Sequence, residues 1–457
     1  MKKTFVYICT ALMLGLTACD ERLDIQPQQS IDAAQALSTE QDLQSAIIGA
    51  YGQLGSGALF GTNFNLLAEL QGSEGYITWR GTFVSFREVA NKTMTFANAE
   101  AGRTWLTGYQ AISTVNNVLA NLSKSTNEAT RKRIEGEARF IRGTVLFELV
   151  RYYALPWGAT TGNSHPGLPL VLTPSNTVDQ ANTQVPRSTV AQTYAQVIDD
   201  LTKAAGLLPN DNGTRADKFA VLAFLSRVYL QQGDYAKALD AANQVIASGN
   251  YRLNPGVSAV FRNRNTSESI FELQQNDQNN AGTSNDGLTT FYASLPVDGS
   301  AVGRGDVQVN NAFVNSYAAT DARRNELFYI GFKGTNRYYT AKFTDFGANI
   351  PIIRLAEMLL VRAECNLRLN SAVGASPAAD LNAVRTRAGL APIATPTLAN
   401  VLQERQLELA FEGLRIHDLK RLRQSTGNYA WNSPSLVFPI PKREIDVNPA
   451  LTQNEGY

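Results

Sequence analysis

The chain carries 457 residues, of which 41 are Lys or Arg and 40 are Asp or Glu, for a formal net charge of +1; 44% are hydrophobic. That length is enough for two or three conventional domains around a large core. Charges of both signs spread along the whole chain exclude an electrostatic footprint for nucleic acid or for a strongly acidic partner.

Lys2 and Lys3 head an apolar run, residues 4–15, that is too short to span a bilayer as a helix, and small residues then lead into Cys19. This is the order of a secretory signal. Leu16-Thr17-Ala18-Cys19 resembles a bacterial lipobox, whose cysteine becomes the lipid-modified first residue of the mature chain. Residues 1–18 are therefore expected to be a lipoprotein signal peptide, Cys19 the lipidation site (with palmitate among its acyl chains) and residues 19–38 a lipidated tether. A plain cleaved signal with Cys19 incidental is the alternative. One acyl chain contributes about 0.8 kcal/mol per buried methylene, so a stable anchor takes more than one. With Cys19 acylated, Cys365 has no disulfide partner in the mature chain, and stability must come from packing. Cys365 falls among Leu359, Leu360, Ala363 and Leu367 at helical spacing, where a thiol behaves as a small buried hydrophobe.

Most of the remaining chain reads as amphipathic helices broken by short turns. Residues 38–54 give the first helical pattern. Residues 55–102 break it with Gly, Asn and aromatics, and a stretch this long is expected to be an irregular insert. Residues 105–122 and 131–154 form a helical pair, followed by an irregular surface connection over 156–186. Residues 190–207 are helical again. The clearest unit is 218–251. Leu222, Leu225, Ser226 and Tyr229 recur at helical spacing, Gly233-Asp234 supplies a turn, and Tyr235, Ala238, Ala242, Val245 and Ile246 mark a second helix. Leu-x-x-Leu-Ser-x-x-Tyr followed by Gly-Asp-Tyr and Ala-x-x-x-Ala resembles the tetratricopeptide repeat, whose hairpins must stack to bury their apolar faces. Residues 276–304, rich in Asn, Gly, Asp and Ser, form a second irregular insert. Residues 351–369 and 377–388 read as a further pair, and 398–422 as one long helix. The expected fold is mostly α, an α-α superhelix of tetratricopeptide-like pairs with minor β-structure. Its body is 39–457, an N-terminal part over 39–270 and a C-terminal part over 271–457. Irregular loops on such a scaffold are a plan for binding.

The catalytic inventory is thin. His165 and His417 stand apart from each other and from Cys365, so no metal spacing and no nucleophile–base set is present, and no phosphate loop either. Neither a metal nor a cofactor is expected. Glu404, Glu408 and Glu412 fall on one helix stripe at i, i+4 spacing. A glycosidic bond needs carboxylates on opposed sides, about 5–9.5 Å apart. One helix face does not provide that, and ion pairing with the interleaved Arg405 and Arg415 is the expected role.

Several motifs point to one family. Asp20-Glu21-Arg22-Leu23-Asp24 behind Cys19 is similar to the start of mature SusD/RagB lipoproteins. Gly136-Glu137-Ala138-Arg139-Phe140-Ile141-Arg142-Gly143 with Tyr152-Tyr153 and Pro156 resembles the family's second-helix motif, and residues 353–364 its central C-terminal helix. Leu381-Asn382, Val384-Arg385 and Arg387-Ala388-Gly389 follow in the family's order, then Glu404-Arg405, Glu408-Leu409, Phe411-Glu412-Gly413, Arg415, Asp418-Leu419 and Arg421. Phe438-Pro439-Ile440-Pro441, Asn448-Pro449 and Gln453-Asn454 complete the series. The resemblance implies a non-catalytic lipoprotein, lipid-anchored in the outer membrane and facing the cell exterior. It would bind oligosaccharide or polysaccharide and deliver it to a TonB-dependent, SusC-like transporter. Some relatives bind peptides instead, and an assembly scaffold of tetratricopeptide type is a further alternative.

The matched motifs are scaffold motifs, so the ligand site has to be argued from residue chemistry. Sugar C–H faces pack on aromatic rings while hydroxyls need hydrogen-bond partners. Tyr76, Trp79, Arg80 and Phe83 in the first insert, and Asn285, Asp286, Phe291 and Tyr292 in the second, are the expected ligand-binding residues. The rival reading is that Trp79 and Phe291 anchor their loops to the scaffold. Trp105, in a helical setting, is expected in the core.

Overall fold

A computed structural model describes residues 37–332 and 336–457. Cys19, the signal and most of the expected tether lie outside the described residues. The helices that build the body are α1 (Glu40–Leu54), α2 (Asn63–Gln71), α3 (Val84–Asn91), α4 (Ala99–Ala120), α5 (Glu128–Tyr153), α6 (Val190–Leu207), α7 (Lys218–Gln232), α8 (Tyr235–Ala247), α9 (Leu355–Leu369), α10 (Pro377–Arg387), α11 (Leu398–Glu408) and α12 (Arg415–Arg421). Among the described residues the short strands are β1 (Ile77–Trp79), β2 (Pro166–Pro169), β3 (Arg187–Thr189), β4 (Ser269–Leu273), β5 (Leu295–Val297), β6 (Ser300–Val302), β7 (Val307–Val309), β8 (Phe328–Ile330), β9 (Tyr338–Thr340) and β10 (Ile350–Arg354). The fold is mostly α with little sheet, as the periodicity predicts.

Local chemistry sets the helix ends. Thr39, Thr189 and Thr397 each form a capping box, satisfying N–H groups that the first helical turn leaves free. In the repeat-like hairpin, Asp217 caps α7, Gly233 turns the chain at φ +73°, and Asp234 caps α8. Ser226 Oγ donates to the Ala238 carbonyl at 3.0 Å, so the two small residues do bring the helices close.

Each long helix packs on the next. α4 lies on α5, α5 on α6, α6 on α7, α7 on α8, α8 on α9 and α9 on α10, while α1 crosses α4 and α5. Buried Arg–carboxylate forks pin successive layers. Arg142 binds Asp200 across α5 and α6 at 2.8 and 2.7 Å, Arg227 binds Glu357 across α7 and α9 at 3.1 and 2.6 Å, and Arg362 binds Asp380 across α9 and α10 at 2.8 and 2.7 Å. Such pairs roughly repay their own desolvation, and their demanding geometry fixes which faces can meet. Cys365 is buried, and burial pushes its thiol up to about 12. Trp105 is core at 2% exposure.

Four expectations need correction. Residues 55–102 are more regular than their composition suggests, because α2, β1 and α3 form there from buried Leu66, Leu67, Leu70, Phe86 and Val89. Residues 351–354 are strand, paired with β4, before α9 begins. The 156–186 connection holds β2, which pairs with β3. The helix expected over 398–422 breaks between Glu408 and Arg415, where Phe411 and Gly413 take positive φ of 68° and 78°.

That break moves Glu412 off the stripe, and the three glutamates find other partners than Arg405 and Arg415. Arg323 reaches Glu404 at 2.7 Å and Glu408 at 3.0 Å, Arg354 reaches Glu408 at 2.5 Å and Glu412 at 2.8 Å, and Lys342 reaches Glu412 at 2.6 Å. Burial would raise the Glu408 carboxyl, but Arg387, Arg354, Arg323 and Lys342 hold it well below the usual range. Arg354 and Lys342 likewise hold the Glu412 carboxyl below its usual range against its burial, so Glu408 and Glu412 sit as anions in this ion network.

Candidate functional site

The four-stranded sheet, in order β1-β7-β9-β8, joins the two inserts. β1 and β7 are antiparallel with Ile77 opposite Val309 and Trp79 opposite Val307, so alternate residues face opposite ways. Ile77, Trp79, Val307 and Val309 face the core. Thr78 and Arg80 face outward, where Thr78 Oγ1 donates to Asn310 Oδ1 at 2.8 Å and Arg80 Nε to Gln308 Oε1 at 3.1 Å. The chain then turns through Gly81, where a Cβ would strike the Trp79 ring and come within 2.7 Å of Asp306 Cγ. This close passage covers the indole.

The expected site residues separate into two groups. Tyr76, Phe291 and Tyr292 are interior, at 1%, 1% and 0% exposure, and offer a ligand no ring face. The Tyr76 hydroxyl accepts from the Phe411 N–H at 2.7 Å, and its ring stacks on Phe411 at 5.1 Å. Trp79 is 9% exposed and packs against Phe86 and Phe291, with Nε1 buried and unpartnered. The loop-anchoring reading therefore describes Trp79 and Phe291 in this structure. Alternation in Ile77-Thr78-Trp79-Arg80 was the available signal.

The second group reaches solvent. Phe83 is 38% exposed at the N-terminal end of α3, edge-on to Phe86 and Phe291. Arg304 lies over its ring, guanidinium carbon 4.7 Å from the centroid, and also reaches Asp306 Oδ2 at 2.7 Å and Thr82 Oγ1 at 3.1 Å. Arg80 flanks this step and its N–H donates to the Asp306 carbonyl at 2.6 Å. The structure thus brings Arg80 and Phe83 together with Arg304, Thr82 and Gln308, which the sequence reading did not single out.

Asn285 and Asp286 lie at a different part of the same seam. Asn285 is exposed, at φ +56°. Asp286 is taken by both Nη atoms of Arg103, and its carbonyl accepts from Thr62 Oγ1. Beside them runs a groove of about 510 Å³ between the end of α1 and the second insert, lined by Tyr51, Ser56, Gln274, Gln275, Asn280 and Ser284. Its side-chain amides can both donate and accept, the pattern that hydroxyl groups require. No cluster of three or more His, Cys, Asp or Glu side chains suited to a metal ion occurs among the described residues. No helix among them is long and apolar enough to cross a membrane.

The structure is a superhelix of stacked helical pairs that carries a loop-built surface of aromatic, arginine and amide side chains. The chain belongs to the SusD/RagB family. The family described as starch-binding and associating with the outer membrane matches residues 21–230, and the SusD family matches residues 321–457. SusD-like protein P2 of Formosa agariphila is 27% identical over 526 aligned positions, covering 100% of this chain and 99% of that protein. The starch-binding protein SusD of Bacteroides thetaiotaomicron is 35% identical over 123 positions, 24% of this chain and 22% of that one. A crystal structure of a SusD superfamily protein from Bacteroides thetaiotaomicron superposes with a TM-score of 0.80 at 27% identity, covering 91% of this chain and 99% of that chain.

Proposed function

We propose that this protein is a non-catalytic, glycan-binding lipoprotein of the outer membrane that hands oligosaccharide to a TonB-dependent, SusC-like transporter. Cys19 would carry the lipid, with the body facing the cell exterior. The observation that carries the ligand reading is the Phe83–Arg304 step with Arg80 beside it, an exposed ring and forked donors at the seam of the two inserts. A sugar's C–H face packs on the exposed part of the ring while the guanidinium groups and Gln308 take its hydroxyls. The neighbouring groove supplies amides for further sugar units. Family membership supports the same reading, as does the family's described association with the outer membrane.

The deciding experiment titrates the purified protein by calorimetry against a panel of oligosaccharides, then repeats the best ligand with Phe83→Ala. Saturable binding that weakens in the variant supports the proposal. Binding to peptides and to no oligosaccharide would replace it with the peptide-capture alternative. Co-purification with a SusC-like barrel tests the delivery step.

A further inference from the structure

The Phe83 step carries more positive charge than its carboxylates balance. Arg304 lies over the Phe83 ring, its guanidinium carbon 4.7 Å from the centroid, and its Nε takes Asp306 Oδ2 at 2.7 Å. Arg80 lies opposite Asp306 in the β1–β7 ladder, one step beyond the Trp79–Val307 pair, and its N–H donates to the Asp306 carbonyl at 2.6 Å. Asp306 is nevertheless committed to Arg304. The exposed Arg80 side chain has no carboxylate partner among the described residues. Its Nε donates to Gln308 Oε1 at 3.1 Å, which orients the guanidinium and leaves Nη1 and Nη2 without a partner among those residues. Arg87 stands one turn beyond Phe83, with its N–H on the Phe83 carbonyl at 3.3 Å. It is exposed and likewise has no carboxylate partner among the described residues. The acid of α3, Glu88, is turned to α4, where Oε2 accepts from Asn98 Nδ2 at 2.7 Å.

Taking the glycan reading of this site as given, we propose that its ligand is an acidic glycan containing uronic acid units. A uronate carboxylate is gripped by the two Nη groups of Arg80. A guanidinium held at Nε presents two parallel N–H donors that match the two oxygens of a carboxylate. A charged acceptor there makes bonds about twice as strong as a sugar hydroxyl does. Phe83 packs on the C–H face of the same chain, and Arg87 adds attraction without a fixed contact. A neutral glycan would leave three guanidinium groups around one carboxylate, that of Asp306. A sulfate ester carries its oxygens as a tripod, of which a flat fork serves only two, so the carboxylate is the better match.

Calorimetric titration of the purified protein at low salt tests this with oligosaccharides of galacturonate, glucuronate and mannuronate. The methyl ester of each is its uncharged counterpart, and a sulfated galactan oligosaccharide is the rival anion. At least one uronate is expected to bind about tenfold more tightly than its ester. Arg80→Gln is expected to shrink that preference to less than about twofold, whereas Phe83→Ala weakens acid and ester alike. Equal binding of every acid and its ester, still dependent on Phe83, would overturn the acidic ligand and leave the glycan reading standing. An Arg80→Gln variant that keeps the preference for acid would also overturn it, as would sulfated galactan binding in preference to every uronate. Binding of no saccharide would overturn both.

Discussion

Arg103 closes a two-pronged ion pair on Asp286, Nη1 to Oδ2 at 2.6 Å and Nη2 to Oδ1 at 2.7 Å, across 183 residues of chain. Burial works against the Arg103 charge, but Asp286 and Glu100 more than offset it. The pair holds the second insert against α4, so Asp286 is a positioning residue for the seam. Its side chains are 32% and 24% exposed, which limits the pair to about 1–2 kcal/mol. Arg103→Ala is expected to lower stability by about that amount and to speed hydrogen exchange over 281–292 well beyond that of α7. Exchange mass spectrometry checks it, and uniform acceleration along the chain would contradict it.

Phe83 and Trp79 should respond differently to truncation. Phe83→Ala removes exposed ring area, and we expect oligosaccharide affinity to fall about tenfold with less than about 1.5 kcal/mol lost in stability. Trp79→Ala opens a hole against Phe86 and Phe291 and is expected to cost about 3–5 kcal/mol. Urea denaturation beside calorimetry separates the two effects. A Trp79 variant of wild-type stability would undo the assignment of its ring to the core.

Acid should weaken the α11–α12 junction through Asp418. Burial raises this carboxyl, but Arg405 and Arg421 overcome that and hold it at about 2, below its ordinary 3.8. The folded state thus binds its proton less readily than the unfolded chain. The resulting stability is fully present above pH 4 and is lost as pH falls toward 2. Its side chain is 19% exposed, so water screens part of the interaction and about 2 kcal/mol is the scale. Asp418→Asn should be less stable than the wild type at pH 7 by at least this much, with the gap narrowing toward pH 2. A gap that does not change with pH would count against this origin.

Lys420 should act at the alkaline end. Burial first, and then the Arg151 charge, pushes its ammonium down to about 7. Nζ donates to the Leu436 carbonyl at 2.8 Å and has no carboxylate partner among the described residues. Between pH 7 and about 10 the unfolded chain holds a proton that the folded state lacks, so stability rises with pH by up to about 1.4 kcal/mol per unit. Lys420→Met should remove that rise. Chemical denaturation at pH 7.5 and 9 on both proteins measures it, and parallel curves would refute it.

Helix ends were legible wherever local chemistry decides them. The pattern over 190–207 matches α6, and Gly233-Asp234 marks the turn between α7 and α8 because a positive-φ residue and a cap are needed there. α2 and α3 were not legible, because the Asn and Gly content of the surrounding residues 55–102 reads as loop while buried contacts stabilise the two short helices. Asn63 Nδ2, for example, donates to Glu100 and Thr104 from across the fold. The partners of Glu404, Glu408 and Glu412 could not be read either, since Arg323 and Arg354 arrive from distant segments. At the site, composition marked the right inserts but not the direction of each ring. Tyr76 and Phe83 belong to one insert, yet one stacks on Phe411 and the other meets solvent.

β1 has its ladder partner about 230 residues downstream in β7, the Phe438 N–H donates to the Tyr152 carbonyl at 2.8 Å, and Glu69 waits for the backbone of Gly413. Those closures have a kinetic consequence. A chain that emerges with its N-terminus first can form α5 to α8 early from neighbouring contacts, but the first insert waits for β7 to pair with β1 and completes its contacts only when the segment beyond residue 400 arrives. Folding should therefore be slow and should finish at the seam of the two inserts. Until then the aromatics of that insert stay uncovered, and a chaperone that shields them would be acting on the same residues that later shape the proposed ligand face.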